Sequence, residues 1–369
     1  AQLIDAKSDR RVWSQDFNRE LSDVYAVQQE IAQAIAGALE LQLGDGLRAS
    51  RPTLNSRAHD AYLLGLSQWH RRTRAGVAQS IAHFETAIRE DSLYAKAWAG
   101  LALAHSIHPI YDFRVNSLES ARLTLDAARR ALALDSTLSE PHAAMGQAIT
   151  RYEWKWKVGL DELRRAVELS PNDALTHSYL GSALVTQGNF AEGMEEADRA
   201  VDLDPLSVYV RNIRAVNLYV SGRKDEAFSE MRLVRSMSAD VQAPLHYLGR
   251  TYLMTGQFDS AAVMLRRWAE LDGFTRPEET RQFIDALRAR RLEHAGTLVA
   301  SWEKAGPFSA YQLAVYYNIV GDREAAIRML TQAFNTREAG VVFLAVDPDM
   351  ELLRSDPRVS SILRRMGLR

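Results

Sequence analysis

A fixed step of 34 residues runs through the middle of this 369-residue chain. Gly181, Ala215 and Gly249 fall in register, and so do Gly188, Gly222 and Gly256. Gly193, Ala227 and Ala261 follow, then Ala197, Met231 and Leu265. A period of this length marks stacked helix pairs, in which each unit hides its apolar face on its neighbours. It confines the fold to a solenoid, and it directs the search for function toward a long surface and a partner.

The small residues of the ladder have a steric reason. Two antiparallel helices approach closely only where one contributes little bulk. Gly181 and Gly249 sit where the first helix of a unit meets the second, and Gly193, Ala227 and Ala261 face back from the second. Gly188, Gly222 and Gly256 close the first helix, where a residue able to take positive φ is needed. Apolar residues between them recur at helical spacing, as in Ala261, Leu265 and Trp268.

These motifs resemble the tetratricopeptide repeat. The unit at 173–206 carries Leu180-Gly181, Gly188, Phe190, Ala197, Ala200 and Pro205, and the unit at 241–274 carries Leu248-Gly249, Tyr252, Gly256, Phe258, Ala261 and Leu265. Looser copies lie upstream, around Leu64-Gly65, Leu101-Ala102 and Met145-Gly146, and downstream, around Leu313-Ala314, Tyr317, Gly321 and Ala326. A degenerate unit fits at about 274–306. The expected fold is all-α: a right-handed superhelical solenoid over 57–369 of about eight helix pairs, above the ~3 that such arrays need, with a capping segment at 341–369.

Composition is ordinary for a globular chain, with 47% hydrophobic and 25% charged residues. A net charge of −2 gives no general nucleic-acid footprint. No apolar run approaches the ~18 residues of a membrane span. There is no cysteine, so no disulfide framework and no thiolate site. Cytoplasm and periplasm both tolerate that, and the compartment stays open between them.

The amino terminus reads differently. Gln2–Ala6 suggests a short strand, Ser8–Arg10 a turn, and Val12–Phe17 a returning strand; Ser22 would cap a helix with Val24, Val27, Ile31, Ile35 and Leu39 as its stripe. A lone hairpin has open edges, so residues 1–43 read as the tail of a larger α/β domain. Residues 1–19 would be the least self-sufficient part, mobile or paired with a second copy as a homodimer through the open edge. Gly44-Asp45-Gly46 and Pro52 mark a linker at 44–56. Ala1–Ala6, Val12-Trp13, Phe17–Leu21 and Gln28–Ala32 resemble the end of a TolB amino-terminal-like domain, with Phe17-Asn18-Arg19 where that family usually has Tyr-Asp-Arg. Val346–Pro348, Leu352–Arg358 and Leu363–Leu368 are similar to the closing segment of bacterial regulators that join this domain to tetratricopeptide repeats. The resemblance implies an upstream winged-helix, cyclase or kinase output domain, often with a membrane anchor.

Motifs for catalysis are missing: no dinucleotide or phosphate-binding glycine loop, no His-Glu-x-x-His and no Gly-x-Ser-x-Gly. His105 and His108 share a spacing that could hold a metal, with His142 the nearest third ligand, but helix-surface or core histidines are the simpler reading. No cofactor is expected. Glu192, Glu195 and Glu196 read as a solvated face, and Trp154 and Trp156 as packing residues at a helix junction or as interface anchors.

In tetratricopeptide arrays the first helices line the concave face. Counting from the ladder residues nominates Tyr62, Trp69, Gln147, Asn212, Tyr219, His246, Arg250, Gln312 and Asn318 as groove-facing. The set lacks the cationic clamp that captures a carboxyl-terminal peptide in chaperone-binding members. Asn212, Tyr219, His246 and Arg250 make the expected binding stripe for an extended or helical peptide, unless the protein's own chain fills the groove. The function expected is that of a non-catalytic protein-interaction module, scaffold or sensor; the alternatives are the regulatory half of a cyclase, kinase or transcriptional regulator, or a small-molecule sensor.

Overall fold

The computed structural model describes residues 2–5, 10–14, 53–239, 241–272, 277–306 and 308–368. From residue 56 the chain is helical and its helices pair in sequence: α1 (Ser56–His70) with α2 (Arg74–Glu90), α3 (Ala95–Tyr111) with α4 (Ser117–Leu134), α5 (Glu140–Ala148) with α6 (Trp156–Leu169), and α7 (Ala174–Thr186) with α8 (Phe190–Leu203). Then come α9 (Val208–Val220) with α10 (Lys224–Met237), α11 (Gln242–Met254) with α12 (Phe258–Asp272), α13 (Pro277–Arg288) with α14 (Leu292–Ala305), and α15 (Ala310–Ile319) with α16 (Arg323–Asn335). The chain ends in two 3₁₀ turns, Val341–Ala345 and Pro348–Met350, and two short helices, α17 (Glu351–Arg354) and α18 (Pro357–Arg365).

Local chemistry sets these boundaries. Asn55, Thr73, Asn116, Asp173, Ser207, Ser309 and Asp322 cap their helices by accepting a hydrogen bond from a backbone N–H three residues on. Gly188 ends α7 at φ 83°, with Gly188 N–H donating to Val185 O at 2.9 Å and Asn189 N–H to Leu184 O at 3.0 Å. The ladder glycines permit the close helix contact the sequence calls for: a Cβ on Gly181 would stand 2.7 Å from the Gly193 carbonyl oxygen. Ala227, Ala261, Met231 and Leu265 are wholly buried in the same layer.

The array does not stay open. After α5 the chain makes a π turn, Ile149–Glu153, and Trp154 takes φ 60°. Trp154 stacks on Phe334 with ring centroids 5.0 Å apart, and the Arg337 guanidinium lies 3.6 Å above the Trp154 ring. Arg337 also donates to Tyr152 O at 3.1 Å, Arg151 to Ala339 O at 3.0 Å, and Trp156 Nε1 to Met366 O at 2.6 Å. The superhelix thus brings its third pair against the carboxyl-terminal segment. Stability here is more than a sum of nearest-neighbour terms, contrary to the simple solenoid expectation. Trp154 and Trp156 serve this closure.

Gln2–Asp5 and Arg10–Ser14 pair as antiparallel strands β1 and β2, with Leu3 opposite Trp13. The helix expected from Ser22 and most of the expected linker lie outside the described residues.

Candidate functional site: the inner face of the array

The first helices converge on the inner face, and the carboxyl-terminal turns lie across it. At the centre stands Arg250 of α11, only 2% exposed. Its Nη2 donates to Asp349 and, at 3.3 Å, to Asp347 Oδ2. Tyr219 Oη donates to Asp349 Oδ1 at 2.8 Å and Tyr311 Oη to Asp347 Oδ2 at 3.0 Å. Asn318 Nδ2 donates to the Asp349 carbonyl at 2.8 Å, and Arg354 Nη1 to the Asp347 carbonyl at 2.9 Å. Asp347-Pro348-Asp349 is thereby held by side chains of α9, α11, α15 and α17. Burial opposes the Arg250 charge, but the Asp349 and Asp347 carboxylates outweigh it and hold the guanidinium well above its ordinary value. Burial pushes the Asp347 carboxyl up despite Arg250, because Asp349 shares the same cation.

This arrangement corrects the expected binding stripe. Tyr219, His246 and Arg250 are buried; the chain's own acidic turn covers Tyr219 and Arg250. Counting along the helices assumed an open concave surface, and segment 338–350 closes it. His246 packs tilted on Trp268 at 4.7 Å between centroids, and burial with the Arg250 charge drives its imidazole well below the ordinary value. It is a neutral packing residue. Tyr62 meets Tyr94 edge-on at 5.2 Å and packs on Phe84 at 5.9 Å, sealing α1 against α2 and α3. Gln147 is buried, while Asn212, Gln312 and Asn318 are part-buried.

Trp69 is buried in a second cluster that the sequence reading missed. Arg72, in the turn after α1 at φ 51°, lies 3.5 Å from the Trp69 ring centroid and 3.8 Å from that of Tyr209. Tyr111 and Tyr179 adjoin it, so the end of α1 meets α3, α7 and the start of α9. Buried and without a hydrogen-bond partner here are Arg72 Nη1 and Trp69 Nε1, and the Tyr179 hydroxyl has no hydrogen bond of ordinary geometry. The signal available in the sequence was the run Trp69-His70-Arg71-Arg72, an aromatic followed by cations at a helix end. For the first cluster it was Asp347 and Asp349 close to the apolar run Val341–Val346, since acids buried beside such a run require a cation.

A cleft of about 530 Å³ opens between the α3–α4 loop and α14–α16, lined by Phe113, Leu118, Phe308, Met329 and Gln332. Its rim takes in the end of α3 at Pro109 and the loop residues Phe113–Asn116. Burial and His108 push the His105 imidazole down to about 4, and His142 Nδ1 pairs with Glu162 at 2.6 Å. Among the described residues no group of three His, Asp or Glu is placed to hold a metal ion, and no helix is long and apolar enough to cross a membrane.

No family model matches the chain. It is 25% identical over 263 residues to mouse Superkiller complex protein 3, covering 61% of this chain and 17% of that protein. It is 30% identical over 178 residues to the protein named "Putative adenylate cyclase 3" of Rhizobium meliloti (strain 1021), covering 45% of this chain and 28% of that one. The chain therefore spans less than a third of the length of these curated relatives. Among solved structures, yeast Tom70 aligns over 95% of this chain and 78% of its own, at 14% identity and a TM-score of 0.47. YrrB, a TPR protein with an unusual peptide-binding site, aligns over 58% of this chain and 98% of its own, at 20% identity and a TM-score of 0.32. The helix pairing, ladder contacts and turn glycines of this chain make it a solenoid of repeated helix pairs.

Proposed function

We propose that this chain is a non-catalytic protein-interaction module whose inner face and adjoining cleft hold a peptide or protein partner. The observation that carries the reading is the Arg250 cluster. There an acidic turn of the chain itself is held by two arginines, two tyrosine hydroxyls and an asparagine from four different helices. A surface that grips one acidic segment has the chemistry to grip another. Mouse Superkiller complex protein 3, named for a complex, supports an assembly role. A scaffold or sensory role in a bacterial regulator fits the same surface, as does pairing of two copies through the strand edges.

Photo-crosslinking tests it. A benzophenone side chain placed at Gln312 or Phe113 is expected to yield a defined adduct from the source lysate. The same group on the outer face at Val263 is expected to yield none. Adducts from the outer position alone would move the site off the inner face.

A second reading makes this chain the regulatory part of a nucleotide cyclase, favoured by the 30% match to the Rhizobium protein. Under both readings the purified chain converts no nucleoside triphosphate. Turnover by it would overturn the non-catalytic assignment.

A further inference from the structure

Two arginines stand on the inner face, Arg250 buried and Arg72 half-buried, each among aromatic rings and tyrosine hydroxyls. Arg250 has two carboxylates. Arg72 has none: its ionisable neighbours are Tyr209, Tyr179 and Tyr111. Burial pushes the Tyr111 and Tyr179 hydroxyls up, so they stay neutral and supply no countercharge. The rings of Trp69 and Tyr209 sandwich the guanidinium, and their π faces offset part of its charge. They accept none of its in-plane hydrogen bonds. Arg72 Nη1 and Trp69 Nε1 are buried donors with no acceptor, a costly arrangement for a cation and an indole taken out of water.

The unmet groups share one character: N–H donors beside a positive charge. What completes them is an anionic acceptor with two oxygens, and the molecule already shows which one it uses. At Arg250 the same surroundings are completed by carboxylates on a short turn, Asp347-Pro348-Asp349. We infer that the Arg72–Trp69–Tyr179–Tyr209 cluster is a binding site for a carboxylate side chain on an acidic peptide segment of a protein partner. Arg72 as a whole keeps partial contact with solvent, though its Nη1 is buried, and the carboxylate would approach from the exposed side of the residue. Small rotations of Arg72 then share the oxygens with Nη1 and the indole N–H. This inference rests on the interaction-module reading and names the chemistry of its partner.

The test uses the full chain and two fluorescein-labelled peptides. One has the sequence Ala-Val-Asp-Pro-Asp-Met, copied from the Arg250 solution; the other replaces both Asp by Asn. Fluorescence polarisation is expected to show at least tenfold tighter binding of the acidic peptide, ~1.4 kcal/mol, weakening with salt. Arg72→Met is expected to abolish the difference, with its circular dichroism spectrum showing that it is folded. Arg72→Lys, which keeps the charge but loses the fork, is expected to lose most of it. Equal affinity for the two peptides would overturn the inference, as would a preference retained in Arg72→Met. Saturation by acetate as tight as by the peptide would reassign the site to small anions and overturn the peptide assignment. If the inner-face crosslink forms equally well in Arg72→Met, this inference fails and the module reading survives; if neither crosslink nor peptide binds, both fail.

Discussion

The Arg250 and Arg72 clusters are built from the same parts and finished differently. Both place a guanidinium on the inner face among tyrosines drawn from several first helices. Around Arg250 the charge is answered, because the carboxyl-terminal segment returns to supply two acids, although Nε keeps no hydrogen bond. Around Arg72 the aromatic shell is complete and the acid is absent. The difference teaches how this solenoid uses its interior. Closure of the superhelix commits one end of the groove to the protein's own chain and leaves the other end with chemistry unspent.

The filled cluster gives the largest expected effect. Arg250→Met leaves Asp347 and Asp349 buried without their cation, and loss of one partner of a buried pair costs ~3–5 kcal/mol. Chemical denaturation should show that loss. A change below ~1 kcal/mol would mean the two acids are not held as described.

Next is the closure that delivers those acids. Trp154→Ala removes the ring stacked between Phe334 and Arg337, and a buried tryptophan deleted in this way costs ~3 kcal/mol or more. Hydrogen exchange should rise in 338–350 more than in α8 or α10. A uniform rise would deny Trp154 its closing role.

Tyr219→Phe removes one hydrogen bond to Asp349 while keeping the ring. A bond to a charged group is worth ~1.5–3 kcal/mol, so a loss near ~2 kcal/mol is expected in the same denaturation assay. The matched change Tyr179→Phe, at the unfilled cluster, should cost less than ~0.5 kcal/mol. Equal losses would erase the contrast.

A pH profile gives a smaller effect. Burial and His108 hold His105 near 4, against ~6.5 for an exposed imidazole. The unfolded chain therefore takes up this proton first as pH falls. His105 contributes stability above about pH 6.5 that is lost between there and about pH 4. Asp347, whose pKa is raised, has the opposite sign: its contribution is present at low pH and lost as pH rises. The comparison of wild type with His105→Asn separates the two. The variant should show a shallower fall in stability across that window, by about one proton; parallel curves would place His105 in an ordinary environment.

Much of the fold was legible because its cause is local. The 34-residue ladder reports a contact between adjacent helices, and the Gly181–Gly193 approach is that contact. The turn glycines reported a φ value, and Gly188, Gly222 and Gly256 have it. The inner face was less legible because its cause is remote. Arg250 and Asp347 are 97 residues apart in sequence, and no helical periodicity links them. The same holds for Arg72, whose neighbours come from α3, α7 and α9 and whose own backbone conformation, φ 51° in a non-glycine residue, leaves no trace in composition. Counting along helices nominated Trp69, Tyr219 and Arg250 as groove-facing, and all three are buried. It could not tell which of them the chain would cover.

The central claim is that Arg250 is a cation paired with acids and Arg72 a cation without one, and equilibrium denaturation of Arg72→Met beside Arg250→Met tests it most directly. The account predicts that Arg72→Met stays within ~1 kcal/mol of wild type or gains, because the change removes a buried charge that has no acid, while Arg250→Met loses ~3–5 kcal/mol. A loss in Arg72→Met as large as that in Arg250→Met would show that Arg72 is already fully used by the folded chain, and would contradict the account.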